Sequence, residues 1–369
     1  MRLLICAGGT GGGVYPALAV IQESDKSRDE ILWVGTDEGM ERGLIQHASI
    51  PYRSIQAAGV HGVGLRTLPR NLVKLARGTS EARRILREFN PDVLFFTGGF
   101  VSVPMALAGM PHPQVIFVPD LEPGLAIKAI SLFATTITLV AESSKKFFSA
   151  GKHMVVTGYP TRKNLNQWTR EAALAALELH ERKPVLFVFG GSKGARSINQ
   201  AVMENLSALL EIAQIVHVSG ETDWEVVKYH KDGSEDPNIA DYHIAPYLHE
   251  EMGAALRVAD LVISRAGAST LGEFPLFGLP AILVPYPHAW RYQKVNADFL
   301  VSQGAALMIE DQNLKRDLVE NVREVLGNTE KLQQMKHNMA RISTPDAARN
   351  IYQVLQECAS ANKYERGKN

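Results

Sequence analysis

The stretch Val185-Leu186-Phe187-Val188-Phe189-Gly190-Gly191-Ser192-Lys193-Gly194-Ala195-Arg196 decides the fold class, because a fully apolar run leads directly into a glycine-rich turn. A strand that is covered on both faces by helices is apolar at every position rather than alternating. A helix-like segment follows the turn and continues through Leu210. The stretch therefore predicts strand, turn and helix in succession, the repeating unit of a parallel α/β sheet.

The same succession opens the chain. An apolar run at residues 3–6 leads into Gly8-Gly9-Thr10-Gly11-Gly12-Gly13, and Pro16 can open the following helix from its first turn. Short apolar runs separated by helix-length segments predict the other strands. They lie at residues 31–35, 52–55, 93–96, 115–118, 136–140 and 154–157, and, beyond 185–189, at 215–218, 243–245, 261–264, 281–284 and 306–309.

Length and composition predict two globular domains. At 369 residues, the chain exceeds the size at which one hydrophobic core usually stops growing. Its content of 46% hydrophobic and 21% charged residues is typical of a folded protein. Gly158-Tyr159-Pro160-Thr161 is the best candidate linker, because glycine and proline together end regular structure.

Several classes of protein are disfavoured. The 39 basic and 39 acidic residues give no net charge, so we expect no nucleic-acid partner. Cys6 and Cys358 form no CxxC pair, and no disulfide is predicted. The N-terminal apolar run is too short for a signal peptide, and no run approaches the 18 residues or so that a membrane span requires. We therefore expect a cytoplasmic protein.

One segment is strongly basic. Arg66, Arg70, Lys74 and Arg77 recur at helical spacing, with leucines 68, 72 and 75 on a neighbouring face. This pattern predicts a helix that lies on an anionic membrane leaflet. A solvated helix whose leucines enter the core fits the pattern equally well.

Both glycine-rich turns suit a phosphate or a sugar oxygen, because glycine lets the backbone approach a ligand and the next helix presents unpaired N–H groups. Neither turn is a P-loop, since Lys193 precedes its glycine and no GKS or GKT follows. Val14 replaces the last glycine of a dinucleotide motif. ATP and NAD chemistry are thus disfavoured, while a tight turn without any ligand stays an alternative.

Two later segments also follow predicted strands. In Ser264-Arg265-Ala266-Gly267-Ala268-Ser269-Thr270-Leu271-Gly272-Glu273, Ser269 or Thr270 can cap a helix and Glu273 can accept hydrogen bonds from a ribose diol. In the segment at 287–296, Gln293 and Asn296 are one helical turn apart and can share a face. An ordinary capping glutamate and a solvated helix start are the alternatives.

Taken in order, AGGTGGGVYPALA, VGTDEGMER, TGGFVSVP, GYPTR, GGSKGARSIN, YLHEEM, SRAGASTLGE and GLPAILVPYPHAWRYQKVNA resemble the signature blocks of the MurG family, glycosyltransferase family 28. The resemblance extends from Leu3 to about Pro345. It implies a GT-B fold, with two Rossmann-like α/β domains whose parallel sheets face each other across a cleft. These would be residues 1–160 with a C-terminal helix at about 345–369, on the acceptor and membrane side, and residues 161–344, which bind the donor.

The resemblance also implies the reaction. N-acetylglucosamine would pass from UDP-N-acetylglucosamine, with inversion, to undecaprenyl-diphosphate-linked N-acetylmuramyl pentapeptide, converting lipid I to lipid II. This step belongs to peptidoglycan synthesis, and so to cell shape and division, and takes place at the cytoplasmic face of the membrane. The alternatives are another lipid-linked acceptor, a UDP-sugar epimerase, and a UDP-sugar binder without catalysis.

Site residues follow from the same resemblance. Gly191 and Ser192 would hold the diphosphate with Arg162 near it, and Glu273 would hold the ribose. The remaining substrate contacts would be Thr10, Gly11, Gly12 and Gly13 in the first turn, Tyr247 and Leu248 at the uracil, Ala268, Ser269 and Thr270 along the nucleotide, and Gln293 and Asn296 at the donor sugar.

The chain departs from the family pattern at two places. Gly13 stands where the family has histidine, and the segment at 117–124 replaces its HEQN stretch. With Gly13 unable to titrate, Asp120 is the first candidate base and Glu122 the second, although both also suit a proline-bracketed surface turn. No DxD pair is present and the histidines lack metal-ligand spacing, so we expect no cofactor and no metal at the diphosphate.

Overall fold

The chain folds into two compact units, described here from a computed structural model that covers residues 1–8, 11–39, 41–59, 64, 66–191 and 194–366. The first unit is Met1–Arg162 with Pro345–Asn369, and the second is Lys163–Thr344. The sequence placed the junctions at 160/161 and 344/345. The units divide at 162/163, one residue beyond the predicted linker at 158–161, and at 344/345, immediately before Pro345.

The first unit has a seven-stranded parallel sheet in the order β3-β2-β1-β4-β5-β6-β7. Its strands are β1 Arg2–Ala7, β2 Glu30–Gly35, β3 Tyr52–Ser54, β4 Val93–Gly98, β5 Gln114–Val118, β6 Thr136–Leu139 and β7 His153–Val156. Its helices are α1 Gly11–Ile21, α2 Glu41–His47, α3 Leu68–Phe89, α4 Ser102–Ala108, α5 Leu125–Ile130 and, from the end of the chain, α15 Ala347–Arg366.

The second unit has a six-stranded parallel sheet in the order β10-β9-β8-β11-β12-β13. Its strands are β8 Val185–Phe189, β9 Gln214–Val218, β10 Tyr242–Ala245, β11 Leu261–Ser264, β12 Ala281–Leu283 and β13 Ala306–Met308. Its helices are α6 Arg170–Ala176, α7 Arg196–Glu204, α8 Leu206–Leu210, α9 Trp224–Asp232, α10 Glu251–Val258, α11 Thr270–Phe277, α12 Trp290–Ser302, α13 Leu314–Leu326 and α14 Thr329–Arg341.

The fold class and the predicted strands are confirmed. The central strands are apolar because both of their faces are covered, and every residue of β4, β5 and β8 is buried. In each sheet the strand order reverses beside the first strand, between β1 and β4 and between β8 and β11. Such a reversal opens a crevice at the carboxyl ends of the strands, where α/β proteins bind ligands.

The C-terminal helix α15 belongs to the first unit through contacts with its sheet and with the chain's beginning. Asn362 Nδ2 donates to the carbonyl oxygen of Asp92 over 2.9 Å, and Lys363 Nζ lies 3.1 Å from the Asp92 carboxylate. Tyr352 donates to the carboxylate of Asp29. These bonds join residues more than 250 positions apart, so the chain's two ends complete one domain.

Three details of the helices differ from the sequence-based prediction. Helix α1 begins at Gly11, so glycines 11–13 form its first turn and Pro16 lies inside the helix. The segment after Arg196 forms two helices that meet at Asn205, whose φ of −112° is not helical. Helix α3 begins at Leu68, so Arg66 precedes it; proline at the second position favours a helix start there.

Candidate functional site

The second glycine-rich turn links β8 to α7 and requires glycine at two positions. Gly191 and Gly194 have φ angles of +94° and +75°, a region that disfavours other residues. A Cβ atom on Gly194 would lie 2.3 Å from the carbonyl oxygen of Ser219. The turn thus packs directly on the segment after β9. Ser192 and Lys193 lie outside the described residues.

A buried polar network connects α7 to the segment after β9, on which this turn packs. Asn199 Nδ2 on α7 donates to Ser219 O over 2.9 Å and to Asp223 Oδ2 over 3.0 Å. Asn199 Oδ1 therefore accepts from His217 Nε2, 2.9 Å away, and Tyr242 donates to His217 Nδ1 over 2.7 Å. Burial lowers the pKa of His217 to about 3, so its imidazole is neutral near pH 7.

Glu273 occupies the fourth position of α11, as predicted, and its side chain is buried. Ser269 is at the N-cap, but its side chain makes no capping bond. Thr270 Oγ1 instead donates to the carbonyl oxygen of Gly267 over 2.7 Å and closes the turn after β11. Ala268 is buried within that turn.

Gln293 and Asn296 both lie on α12, as predicted, but in different surroundings. Asn296 is fully buried, and its Nδ2 donates to the carbonyl oxygen of Ala266 over 3.1 Å. Gln293 is half-buried, and its Oε1 accepts from the backbone N–H of Tyr286 over 2.7 Å. Asn296 thus anchors α12 to the turn after β11, whereas Gln293 holds the loop after β12.

Tyr247 and Leu248 follow β10 and are half-buried, and the rings of Tyr247 and His249 pack edge to face at 4.9 Å. Taken with the residues described above, the donor-side candidates of the second unit all lie beyond the carboxyl ends of four of its strands, β8, β10, β11 and β12. These candidates are Gly191, Tyr247, Leu248, Ala268, Ser269, Thr270, Glu273, Gln293 and Asn296.

Sequence reasoning assigned no role to Arg265, which follows β11 directly. Its guanidinium is largely buried and bonds to Ser197, Val284 and Asp311, each from a different segment. The sequence does contain one feature that could have identified Arg265, because it is a charged residue that directly follows an apolar strand. Its three partners are distant in the chain, and no local pattern names them.

In the first unit, Gly11, Gly12 and Gly13 form the first turn of α1, and Thr10 lies outside the described residues. Thr97 Oγ1 donates to the carbonyl oxygen of Gly13 over 2.5 Å and holds this turn against β4. The Arg162 guanidinium lies 4.4 Å from the centre of the Tyr15 ring on the same helix. Arg162, the last residue of this part of the first unit, thus packs on the side chain of Tyr15 in α1.

The two candidate bases follow β5 and differ in environment. Glu122 is buried, and its Oε1 lies 3.3 Å from Lys128 Nζ on α5. Asp120 is half-buried and lies two residues beyond the end of β5. The structure therefore places both carboxylates at the carboxyl edge of the sheet, and it commits Glu122 to an ion pair.

A cavity of about 500 Å³ opens at the carboxyl ends of β1 to β4 in the first unit. Its lining includes Gly8, Asp37, Glu38, Lys74 and Phe100. The buried Glu41 carboxylate at its base accepts from the backbone N–H and the hydroxyl of Thr36 over 3.1 and 3.2 Å. The cavity offers room and polar groups for part of a substrate.

The described residues lack two kinds of feature. No helix within them is long and apolar enough to cross a bilayer. Among the same residues, no three His, Cys, Asp or Glu side chains are grouped as metal ligands would be.

Comparison with known protein families decides the family. The model of the glycosyltransferase family 28 N-terminal domain matches residues 3–139, and that of the family's C-terminal domain matches residues 185–351. The chain belongs to glycosyltransferase family 28. The N-terminal model lies within the first unit, and the C-terminal model covers the second unit from Val185 to its end at Thr344 and continues to residue 351, in α15.

Named relatives in the family align over nearly their full length. A protein of Desulforamulus reducens is 36% identical over 97% of this chain and 98% of its own length. A protein of Halothermothrix orenii is also 36% identical, over 98% of this chain and 100% of its own. Both are named UDP-N-acetylglucosamine–N-acetylmuramyl-(pentapeptide) pyrophosphoryl-undecaprenol N-acetylglucosamine transferase.

A solved structure agrees with these sequence matches. The crystal structure of MurG from Acinetobacter baumannii superposes with a TM-score of 0.76 at 26% identity, over 96% of this chain and 99% of that one. The chain therefore has the GT-B fold of two Rossmann-like domains, as the sequence predicted.

Proposed function

We propose that this family 28 glycosyltransferase transfers N-acetylglucosamine from UDP-N-acetylglucosamine to N-acetylmuramyl-(pentapeptide) pyrophosphoryl-undecaprenol. The observation that carries the proposal is the near-full-length match to relatives named for that reaction, at 36% identity. The donor-side residues at the carboxyl ends of β8, β10, β11 and β12 support it, because ligands of α/β sheets bind at that edge.

On this proposal, the nucleotide sugar lies along the carboxyl edge of the second sheet. Gly191, Ser192 and the N-terminus of α7 hold the diphosphate, since backbone N–H groups and the helix dipole both favour an anion. Glu273 accepts from the ribose hydroxyls. Tyr247 and Leu248 frame the uracil, Ala268, Ser269 and Thr270 line the nucleotide, and Gln293 reads the donor sugar. Asn296 contributes by holding the turn that carries Ala266.

The proposed reaction is a single inverting displacement. The acceptor hydroxyl oxygen bonds to the anomeric carbon while the bond from that carbon to the β-phosphate oxygen of UDP breaks on the opposite face. The hydroxyl proton passes to Asp120, and the electron pair leaves on the diphosphate. Backbone N–H groups, Ser192, Arg162 and the α7 dipole stabilise that charge, so the proposal needs no metal.

The acceptor is lipid-linked, so the enzyme must meet a membrane surface. Helix α3 exposes Leu72 and Val73, at 49% and 52%, close to the basic residues of its first half. We place this half, with Arg66, Arg70, Lys74 and Arg77, on the anionic cytoplasmic leaflet, to which each charge contributes about 1 kcal/mol. The proposed location is therefore peripheral, on the cytoplasmic face of the membrane.

A transfer assay tests the function. UDP-N-acetylglucosamine labelled in the sugar is incubated with the enzyme and the lipid-linked acceptor, and label in the extracted lipid is counted. We expect label in the lipid only when acceptor is present, and equal transfer in EDTA. No label in the lipid would refute the transferase, and conversion of the sugar without acceptor would identify an epimerase. Transfer that EDTA abolishes and magnesium restores would refute the metal-free mechanism.

A further inference from the structure

Arg265 joins four segments of the second unit around one buried guanidinium. Its Nη1 donates to Val284 O over 3.1 Å and to Asp311 Oδ1 over 2.5 Å, and its Nη2 donates to Ser197 Oγ over 2.7 Å. Ser197 in turn donates to Asp311 Oδ1 over 2.7 Å, which closes the cluster. The guanidinium also lies 5.3 Å from the centre of the Tyr286 ring.

The cluster depends on the shape of arginine. The Arg265 side chain is only 10% exposed, and the Asp311 carboxylate 23%, so their charges are poorly screened by solvent. A planar guanidinium carries donors in a rigid fork and stacks on an aromatic face, whereas the single ammonium of lysine does neither. Lysine at 265 would therefore keep the charge while losing part of this geometry.

The loop after β12 is held to this cluster at two points. Val284 O marks its start, and the Tyr286 ring follows two residues later. The Tyr286 ring is 43% exposed, and it contacts two groups, the Arg265 guanidinium and the His288 ring, whose centre is 5.3 Å away. Arg265 thus restrains this loop at its first residue, Val284, and at the side chain of Tyr286.

Gln293 takes its orientation from the same loop. The backbone N–H of Tyr286 donates to Gln293 Oε1 over 2.7 Å, which holds the amide oxygen to the loop, while the amide nitrogen is a hydrogen-bond donor. An amide N–H₂ group recognises an acceptor oxygen, such as the carbonyl of an acetamido substituent. A shift of Tyr286 would turn or move this donor.

We propose that Arg265 is a positioning residue that sets donor-sugar specificity, acting through Tyr286 on Gln293. The inference rests on the proposed function, because it takes Gln293 as the group that reads the sugar. It assigns Arg265 no contact with the nucleotide. The proposed effect of Arg265 is that the enzyme prefers UDP-N-acetylglucosamine, whose sugar carries an acetamido group, over a donor whose sugar has a hydroxyl in place of that group.

The test compares two donors and the product nucleotide. For the parent, Arg265→Lys and Tyr286→Leu, kcat/KM is measured with UDP-N-acetylglucosamine and with UDP-glucose, and the Kd of UDP is measured by calorimetry. The donor ratio is kcat/KM with UDP-N-acetylglucosamine divided by kcat/KM with UDP-glucose. We expect both variants to lower this ratio by about tenfold or more, since a small displacement of a substrate-positioning group has a large effect. The Kd of UDP should stay within about twofold of the parent's, since no nucleotide contact is removed.

Matched variants separate this role from general damage. Tyr286→Phe keeps the ring and should keep the donor preference. Arg316→Lys changes an exposed arginine that pairs with Asp317, and Tyr229→Leu changes a tyrosine that is 83% exposed on α9; both should match the parent. Glu273→Ala gives the reference for weakened UDP binding.

Each outcome decides a specific point. An unchanged donor ratio in Tyr286→Leu, a variant at an exposed position that should fold, would overturn the inference. UDP affinity in Arg265→Lys that falls as far as in Glu273→Ala would place Arg265 at the nucleotide and also overturn it. A parent that transfers from neither donor would instead overturn the proposed function, so the two failures are distinguishable.

Discussion

The two carboxylates after β5, Asp120 and Glu122, differ in burial. Glu122 is buried and pairs with Lys128 Nζ at 3.3 Å, so taking up a proton would leave a partly buried ammonium without its partner. Asp120 is half-buried and lies two residues beyond the end of β5. Asp120 therefore stays the first candidate base and Glu122 the second, a prediction that substitution tests.

Replacing Asp120 with asparagine tests its role as the base. The amide keeps the size of the side chain and cannot accept the proton, so we expect kcat to fall by about 10²-fold or more with little change in UDP affinity. Steady-state transfer and calorimetry measure the two quantities. Glu122→Gln should lower kcat less, and near-parental kcat in both variants would mean that another group takes the proton.

At the scale of elements, α3 has two different halves. Its second half buries Ala82, Ile85, Leu86 and Phe89 at helical spacing, as a helix packed on a sheet should. Its first half exposes Leu72 and Val73 among basic side chains. The core therefore explains the second half of the helix, but it does not explain the apolar side chains that the first half exposes.

A comparison of the two halves tests membrane contact. Reversing Arg70, Lys74 and Arg77 to glutamate should abolish binding to vesicles that contain anionic lipid, because three attractions of about 1 kcal/mol each become repulsions. Reversing Arg83, Arg84 and Arg87 in the second half is the matched control and should change vesicle binding far less. Vesicle sedimentation measures both. Equal binding by the first variant and the parent would return α3 to an ordinary solvated helix.

At the scale of the whole molecule, the buried network of the second unit makes stability depend on pH. His217 is neutral in the fold because burial lowers its pKa from 6.5 to about 3. Between those values the unfolded chain binds a proton that the folded chain does not, so stability rises with pH through this window and falls as pH drops below about 6.5.

Unfolding measurements check this dependence. We expect the free energy of unfolding of the second unit to fall by up to about 1.4 kcal/mol per pH unit below pH 6.5 on account of His217. Urea unfolding of the full chain at pH 7.5, 6.0 and 5.0 gives the parent's slope. His217→Gln removes the titrating ring and should flatten the slope, even if the variant is less stable at pH 7.5. A variant with the parent's slope would assign the acid sensitivity to other groups.

The sequence by itself determined the strands, the helix-length segments between them and the second glycine-rich turn. These features depend on residues that are adjacent in the chain: an apolar run covered on both faces, and glycines where φ is positive, as at Gly191 and Gly194. The motif blocks likewise carried the family, because their order along the chain is itself a sequence property. The start of α1 was predicted wrongly. The sequence pattern predicts a turn at glycines 11–13, whereas these residues form the first turn of the helix.

Only the tertiary structure decided which polar groups meet. Arg265 finds partners at 197, 284 and 311, Asn296 bonds to Ala266 in place of facing solvent, and Glu122 pairs with Lys128. Each of these side chains could have been an ordinary surface residue by its local pattern. Their roles depend on buried neighbours brought together by the sheet, and burial makes an unpaired charge or amide costly enough to select one arrangement.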